Sequence, residues 1–425
     1  MSFRNSGSDR PLLTLPRRSS GYGGLDPVWP GGRGRGGSGL TRPLTARQRL
    51  LAKDSPLRQL DWALLLVVLA LSLMGTLLVW SATRPGLAQA GGDPNAYLKR
   101  QLLNTVIGLV LMVGVGMLDT RQIRAFAPLV YIAGLLGLVA VLSPLGSTIN
   151  GAHAWISLPG GFQIEPSEYA KLGLILMIAV IFSELRDGDR LPRLRDAGLA
   201  IVCAIPVLGL VVAEPALGVT IVLLALAVCL IALSGIRLRW LAAMAATGVA
   251  AVTAVLNLGL LAPYQVQRLT AFANPSADPL GTGYSAAQAK IAIGSGRMFG
   301  QGLFHGQLVA GNFVPEQHTD FIFSVAGEEL GFLGGIAIIA LLAIVLLRAL
   351  RIAARADDMF GLLVASGIAI WFGLQSFINI GMTIGIMPVT GLPLPFVSYG
   401  GSALFADMIA VGVLQAIHRR HYVFS

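Results

Sequence analysis

Ten stretches of this chain are apolar over nearly the length a helix needs to cross a bilayer, and that pattern narrows the choice of fold more than any motif does. With about 1.5 Å of rise per residue, roughly 20 residues cross a hydrocarbon core as helix, and the lipid leaves no other open structure for the backbone. The stretches lie near 61–83, 101–118, 125–143, 166–184, 197–213, 215–234, 241–261, 320–347, 359–382 and 397–417. The fifth and sixth meet in a tight hairpin at Ala213, Glu214 and Pro215. A mean hydropathy of +0.73 with only 12% charged residues excludes a soluble enzyme. The predicted fold is an all-α polytopic membrane protein of about ten transmembrane helices, with a long structured outer loop between the seventh and eighth.

Charge orients the bundle. If the N-terminus is cytoplasmic, 24 of the 31 Lys and Arg residues fall on the inner side, six fall on the outer side, and Lys171 lies within a span. That asymmetry predicts both termini inside a bacterial plasma membrane. Residues 1–59 form a Gly-, Arg- and Ser-rich tail with 11 basic and 3 acidic residues, which carries most of the net charge of +10. The tail reads as a disordered arm attracted to anionic membrane lipids. It lacks the interleaved aromatics of a nucleic-acid binder, so no nucleic-acid partner is expected. Residues 60–420 make up the membrane domain and 421–425 the cytoplasmic end. Cys203 and Cys229 lie within spans and suggest neither a metal nor a disulfide framework. There is no GxxxxGK[ST] loop and no convincing half-to-half repeat, so neither a P-loop nucleotide site nor an inverted-repeat transporter is supported.

The outer loop at about 262–319 is too long to be structureless, which predicts short interfacial or re-entrant helices and a function. It collects Arg268, Asp278, Lys290, Arg297, Glu316 and His318, with Thr319 and Asp320 at the mouth of the eighth span. Glu168 and Lys171 stand at i and i+3 in the fourth span, on one helical face, where ionisable groups line a cavity or pair with each other. Thr319 or Asp320 could simply cap a helix. Glu316, His318 and Asp320 also offer a weak metal-ligand pattern. Trp155 reads as an interfacial anchor or as a platform for a sugar ring. Ser398 to Gly401 read first as close helix packing. Glu328 and Glu329 cannot both face lipid, and one of them should hydrogen-bond to a neighbouring helix.

The segments "GAHAWISLPGGFQIEPSEYAK", "NPSADPLGTGYSAAQAKIAIGSG", "VPEQHTDFIFSVAGEELGFLGG" and "TGLPLPFVSYGGSAL" occur in that order over about residues 60–420. Together they resemble the SEDS family (shape, elongation, division and sporulation). Gln317 in "PEQHTDFIF" is more similar to its elongation branch, RodA, than to its division branch, FtsW. The resemblance implies an outward-facing cavity in which lipid II is polymerised into glycan strands, with a class B penicillin-binding protein as partner. It assigns Asp278 as the base that deprotonates the acceptor hydroxyl, with inversion at the donor carbon. It leaves Arg268, Lys290 and Arg297 to meet the diphosphate, with a divalent ion, Mg or Mn, as the one cofactor to consider. Glu168, Lys171, Glu316, His318, Thr319, Trp155 and Ser398 would then contact substrate or wall the cavity. The residues alone leave other readings open: Asp278 before Pro279 suits an Asx turn, and the whole chain suits a lipid-linked flippase or a scaffold. Two motifs depart from the family pattern, because "EPALGV" stands where "QPDLGT" is usual and "EPSE" where "QPSE" is usual. Glu214 and Glu165 thus replace amides, and Ala216 replaces an acid.

The charge bias predicts that a cysteine introduced at Ala277 reacts with an impermeant thiol reagent added outside intact cells. One placed between Arg186 and Arg195 should stay unlabelled, as should Cys203 and Cys229. The reverse labelling would invert the topology and remove the site from the outer face.

Overall fold

The computed structural model describes residues 59–424 apart from 150–151, 158–161, 185–191, 193, 215, 258, 260–265, 267, 269, 271 and 274–280. The basic tail and Asp278 therefore lie outside the described residues. The long helices are α1 (Trp62–Gln89), α2 (Ala96–Gly116), α3 (Thr120–Leu142), α4 (Pro166–Glu184), α5 (Leu194–Ala213), α6 (Leu217–Leu233) and α7 (Leu238–Asn257). After the outer segment come α8 (Thr282–Ser295), α9 (Gln307–Ala310), α10 (Ile322–Glu329), α11 (Gly331–Ala354), α12 (Met359–Ile384) and α13 (Gly401–Phe424). Among the described residues eight helices are long and apolar enough to cross a membrane, and α6 and α7 contribute two shorter apolar segments. The chain is a polytopic helical membrane protein, as expected.

Local chemistry explains several of the boundaries. Asp61 caps α1 by accepting from the Leu64 amide at 3.0 Å, and Asp358 caps α12 by accepting from Gly361 at 2.9 Å. Asp119 and Gln122 form a capping box at the start of α3. Gly385 ends α12 in the left-handed conformation, at φ +83°.

Burial separates the inner helices from the outer ones. In α4 89% of the apolar window is buried, and in α12 and α13 72%, against 22% in α3 and 28% in α11. Since lipid is as apolar as leucine, sequence hydropathy cannot make this distinction, and close packing of small residues does. α3 and α4 approach so closely that a Cβ on Gly173 would sit 3.1 Å from the Tyr131 Cα.

Two features depart from expectation. The eighth span, read as continuous over 320–347, is broken into α10 and α11 at Gly331, which has φ +69°. The break exists because the turn after α8 docks there: Phe332 N donates to Arg297 O at 2.9 Å and Leu333 N to Met298 O at 3.2 Å. A side chain at 331 would strike the Gly300 amide, so only glycine fits both the backbone angle and the contact. The second is a small antiparallel sheet ahead of α4, β1 (Gly146–Ile149), β2 (Ala152–Ser157) and β3 (Gln163–Ile164), in the order β1-β2-β3. It pairs Ser147 with Trp155 and Ile156 with Ile164. The sheet leads directly into Glu165 and the start of α4.

Candidate active site

The site is organised around a charge that a membrane bundle should not easily tolerate. Lys171 and Glu168 are both fully buried on α4, with Nζ 2.7 Å from Glu168 Oε1. The same ammonium donates to Gln375 Oε1 on α12 at 2.7 Å, and it lies 4.8 Å from the centre of the Trp371 ring. Trp371 Nε1 also donates to Gln375 Oε1 at 2.7 Å, while Gln375 Nε2 donates to Pro393 O at 3.0 Å. One lysine thus joins α4, α12 and the loop before α13. A buried ion pair is tolerated only when its remaining hydrogen bonds are supplied, and here a glutamine and an indole supply them.

The same loop is fastened to the residues that precede α10. Asn379 Nδ2 donates to Asp320 O at 2.8 Å and to Leu392 O at 2.7 Å. Ser398 Oγ donates to Thr319 O at 2.6 Å and accepts from Leu394 N at 2.8 Å, and Tyr399 N donates to His318 O at 2.9 Å. Ser402 on α13 accepts from Glu165 N at 3.0 Å. These bonds draw the segments 314–321 and 390–402 together with the start of α4 at one end of the bundle.

Four carboxyls and one guanidinium meet there. Asp320 lies against Gly391, where a Cβ would sit 3.4 Å from its Oδ2. Next to it, Arg268 donates to Thr390 O at 3.4 Å. Burial pushes the Asp320 carboxyl up to about 7, with Glu316 adding to the rise and Arg268 opposing it. Burial likewise lifts Glu165 to about 7, and the charge on Glu168 adds to that rise. Glu214 is raised to about 8, again chiefly by burial, with the charge on Glu165 adding to the rise. Glu214 is 1% exposed, and neither of its oxygens has a hydrogen-bond partner among the described residues.

The other expected site residues are distributed around this core. His318 stacks edge-on against Tyr97 with ring centres 5.2 Å apart, and burial holds it below the usual histidine range while Glu316 pulls the other way. Thr319 donates to Glu316 Oε2 at 3.1 Å. Lys290, exposed on α8, sets its Nζ near Gly385, which ends α12. Arg297 is exposed at a positive φ of 49°, beyond the end of α8. Trp155 sits in β2, half-buried. The hydroxyl of Ser398 is committed to the backbone bonds above, which gives it a clamping role in the fold. Among the described residues no three His, Cys, Asp or Glu side chains converge to hold a metal, so Glu316, His318 and Asp320 do not form the metal pattern their spacing suggested.

Glu328 and Glu329 both find partners. Glu328 accepts from Leu308 N at 2.7 Å and Val309 N at 3.1 Å, while Glu329 accepts from Ser81 Oγ at 2.5 Å and Phe304 N at 3.2 Å. They pin the outer segment and α9 onto α10 and α1. The sequence reading overlooked Trp371, Gln375 and Asn379. Their signal was present, since polar groups at 375, 379 and 383 recur every four residues along one face of an otherwise apolar helix.

A helical bundle with a buried Lys–Glu–Gln network and a set of carboxyls and an arginine gathered at one end defines a class: polytopic membrane proteins with an ionisable polar site at one end of the bundle. The family of FtsW, RodA and SpoVE, described as cell cycle proteins, matches residues 61–423, and this chain belongs to it. It is 39% identical over 366 residues to the peptidoglycan glycosyltransferase MrdB of Escherichia coli K12, covering 86% of this chain and 95% of that one. It is 38% identical over 371 residues to a probable peptidoglycan glycosyltransferase FtsW of Trichlorobacter lovleyi, covering 87% and 95%. Among solved structures it resembles a chain of a peptidoglycan synthase complex, described as coordinating polymerization and crosslinking, with a TM-score of 0.71 and 32% identity over 85% of this chain and 98% of that one. It also resembles the rod shape determining protein RodA of Thermus thermophilus, with a TM-score of 0.62 and 30% identity over 85% and 98%.

Two predictions follow from this geometry. Glu168→Gln and Lys171→Met each strand a buried partner and should cost about 3–5 kcal/mol. The double variant should lose less than the two singles combined, by at least roughly 1 kcal/mol in a double-mutant cycle of thermal unfolding in detergent. Strict additivity would separate the two roles.

Glu214 keeps its proton in the fold up to about 8, whereas an unfolded glutamate releases it near 4.5. Its contribution to stability is therefore complete below the ordinary carboxyl range and declines as pH rises through that interval. The unfolding temperature of Glu214→Gln should fall less than that of the natural protein between about pH 5.5 and about pH 8.5. Equal declines would mean that Glu214 is ionised in the fold.

Proposed function

We propose that this protein is a peptidoglycan glycosyltransferase of cell-wall synthesis that polymerises lipid II at the outer face of the plasma membrane. The observation that carries the reading is the meeting of Arg268, Asp320, Glu165 and Glu214 beside the Lys171 network, in a chain that matches the FtsW, RodA and SpoVE family from residue 61 to 423. The positive-inside charge distribution supports an outward-facing site and cytoplasmic termini. Gln317, which in this fold donates to Ala82 O at 2.9 Å and Val309 O at 3.1 Å, favours the elongation branch.

In the reaction, an acceptor sugar hydroxyl attacks the anomeric carbon of the donor. A glycosidic C–O bond forms, the C–O bond to the lipid diphosphate breaks, and the hydroxyl proton passes to a base. Asp278 is assigned that proton because it is the outer-loop acid of the family motif "NPSADPLGTGY". Arg268, Lys290 and Arg297 are the cations available to the departing diphosphate, and a planar guanidinium fork matches phosphate oxygens in pairs. A Mg or Mn ion, were one bound, would add positive charge beside the departing diphosphate. Glu316, His318, Thr319 and Trp155 would line the path of the sugars. A class B penicillin-binding protein is the expected partner, a reading supported by the likeness to a chain of a complex that couples polymerization to crosslinking.

Purified protein given labelled lipid II, with and without such a partner, should yield glycan ladders on a gel. Asp278→Asn and Asp278→Ala should abolish them while expression and lipid II binding persist. Asp278→Glu, which moves the carboxylate by about one bond length, should lose roughly a hundredfold in rate. Full ladders from Asp278→Asn would make Asp278 a turn residue, because asparagine serves an Asx turn equally well.

A further inference from the structure

At the other end of the bundle, where α1 begins and α11 and α13 finish, a cavity is lined by Asp61, Arg348, Arg351, Ile352, Arg355 and His418. Residues 348, 351 and 355 are spaced to stand on one face of α11. The one acid present is already engaged, since Asp61 Oδ1 accepts from Leu64 N at 3.0 Å and Oδ2 lies 3.5 Å from Arg348. Asp61 is also fixed through its backbone: its amide donates to Gln415 Oε1 at 2.9 Å, and its carbonyl accepts from Gln415 Nε2 at 3.1 Å. The hollow therefore has a rigid acidic corner that balances one guanidinium, and two further arginines, both exposed, with no acid lining the hollow to balance them. The last turn of a helix favours cations, which accounts for basic residues there, but not for three of them gathered around a hollow between three helices.

The surroundings of the mouth distinguish the ligand. Leu347 and Leu350, each one residue before an arginine, are 55% and 49% exposed, and Trp62 beside Asp61 is 52% exposed. Exposed apolar residues thus alternate with the arginines along α11, with the Trp62 indole beside Asp61, the usual station of tryptophan at a bilayer interface. We propose that this cavity binds the phosphate of an anionic phospholipid headgroup, with the acyl chains lying along the exposed leucines of α11. Basic pockets between transmembrane helices take such headgroups by the same chemistry. A free phosphate would use the guanidiniums alone and leave the leucines unused. In the proposed orientation the ligand comes from the inner leaflet, but the pocket's chemistry does not depend on the enzymatic reading, and the test below measures binding without activity.

The purified full chain is titrated with phosphatidylglycerol, phosphatidylcholine or inorganic phosphate, and bound lipid is counted by native mass spectrometry. The natural protein should retain phosphatidylglycerol in preference to phosphatidylcholine. The double variant Arg351→Ala/Arg355→Ala should weaken that binding by on the order of tenfold or more, and Arg351→Lys/Arg355→Lys should keep most of it, because each basic group near a lipid surface contributes severalfold. Arg121→Ala/Arg124→Ala, at the start of α3 on the same side, removes equal charge away from the cavity and should leave binding unchanged. An equal loss from that control would reduce the effect to general surface charge and overturn the pocket. Displacement of the lipid by an equal concentration of inorganic phosphate would make it a free-phosphate site and overturn the lipid assignment. If the double alanine variant fails to fold, Arg351→Ala and Arg355→Ala are measured singly, and the proposal fails if neither weakens binding.

Discussion

The Lys171 ammonium is the interaction on which the rest of the structure depends. An uncompensated charge in the centre of a membrane bundle is costly enough that the helices around it are constrained to bring partners. Glu168 supplies the opposite charge, Gln375 the second acceptor and Trp371 the ring face, and all three sit on α4 and α12, two of the three most enclosed helices. Because Gln375 passes the constraint on to the Pro393 carbonyl, the loop that shapes the site is held by the same charge. The polar network thus gives α4 and α12 one register, where apolar packing against lipid-like neighbours would allow several.

The outer segment depends on a second, independent device. Glu328 and Glu329 are consecutive, so they leave α10 about 100° apart and reach different neighbours, Glu328 the α9 amides and Glu329 the α1 serine and the Phe304 amide. Backbone bonds from Gln301 N to Glu328 O at 2.9 Å and from Gly302 N to Glu329 O at 3.0 Å complete the joint. The helix break at Gly331 makes this possible, since it exposes carbonyls that a continuous helix would consume. Here the fold gives up helical hydrogen bonds within the span and recovers them from the loop, which is how irregular backbone persists at the edge of a membrane.

The legibility of the sequence follows from which forces are local. Helix starts expected near 61 and 359 coincide with the caps Asp61 and Asp358, whereas the helix expected from 125 begins at Thr120, behind the Asp119 capping box. The ten apolar segments were readable because lipid imposes a length. The Glu168–Lys171 pairing was readable because i and i+3 share a face, but its completion by Gln375, 204 residues away from Lys171, was not. The break at Gly331 was hidden because its cause is a docking segment some 30 residues earlier in the chain, and a glycine in an apolar run carries no mark of its φ. The sheet at 146–164 could have been suspected from Asn150-Gly151 between two short β-prone runs, yet an apolar background drew attention to helices. Asp278 remains known by its motif alone, since it lies outside the described residues.

The two departures from the family pattern find a common physical explanation. Glutamate in place of glutamine at both 165 and 214 adds ionisable groups, and so a charging cost, to a cluster that already holds Asp320. Burial and mutual repulsion answer that cost by raising the carboxyls, Glu165 and Asp320 to about 7 and Glu214 to about 8, which lowers the negative charge the cluster carries. A protonated carboxyl resembles an amide in carrying one donor beside an acceptor, so it can offer a hydrogen bond to an anion without repelling it. The departure thus preserves the hydrogen-bonding character of the amide while making it dependent on proton concentration. Arg268 lies beside this cluster, and its charge opposes the rise at Asp320.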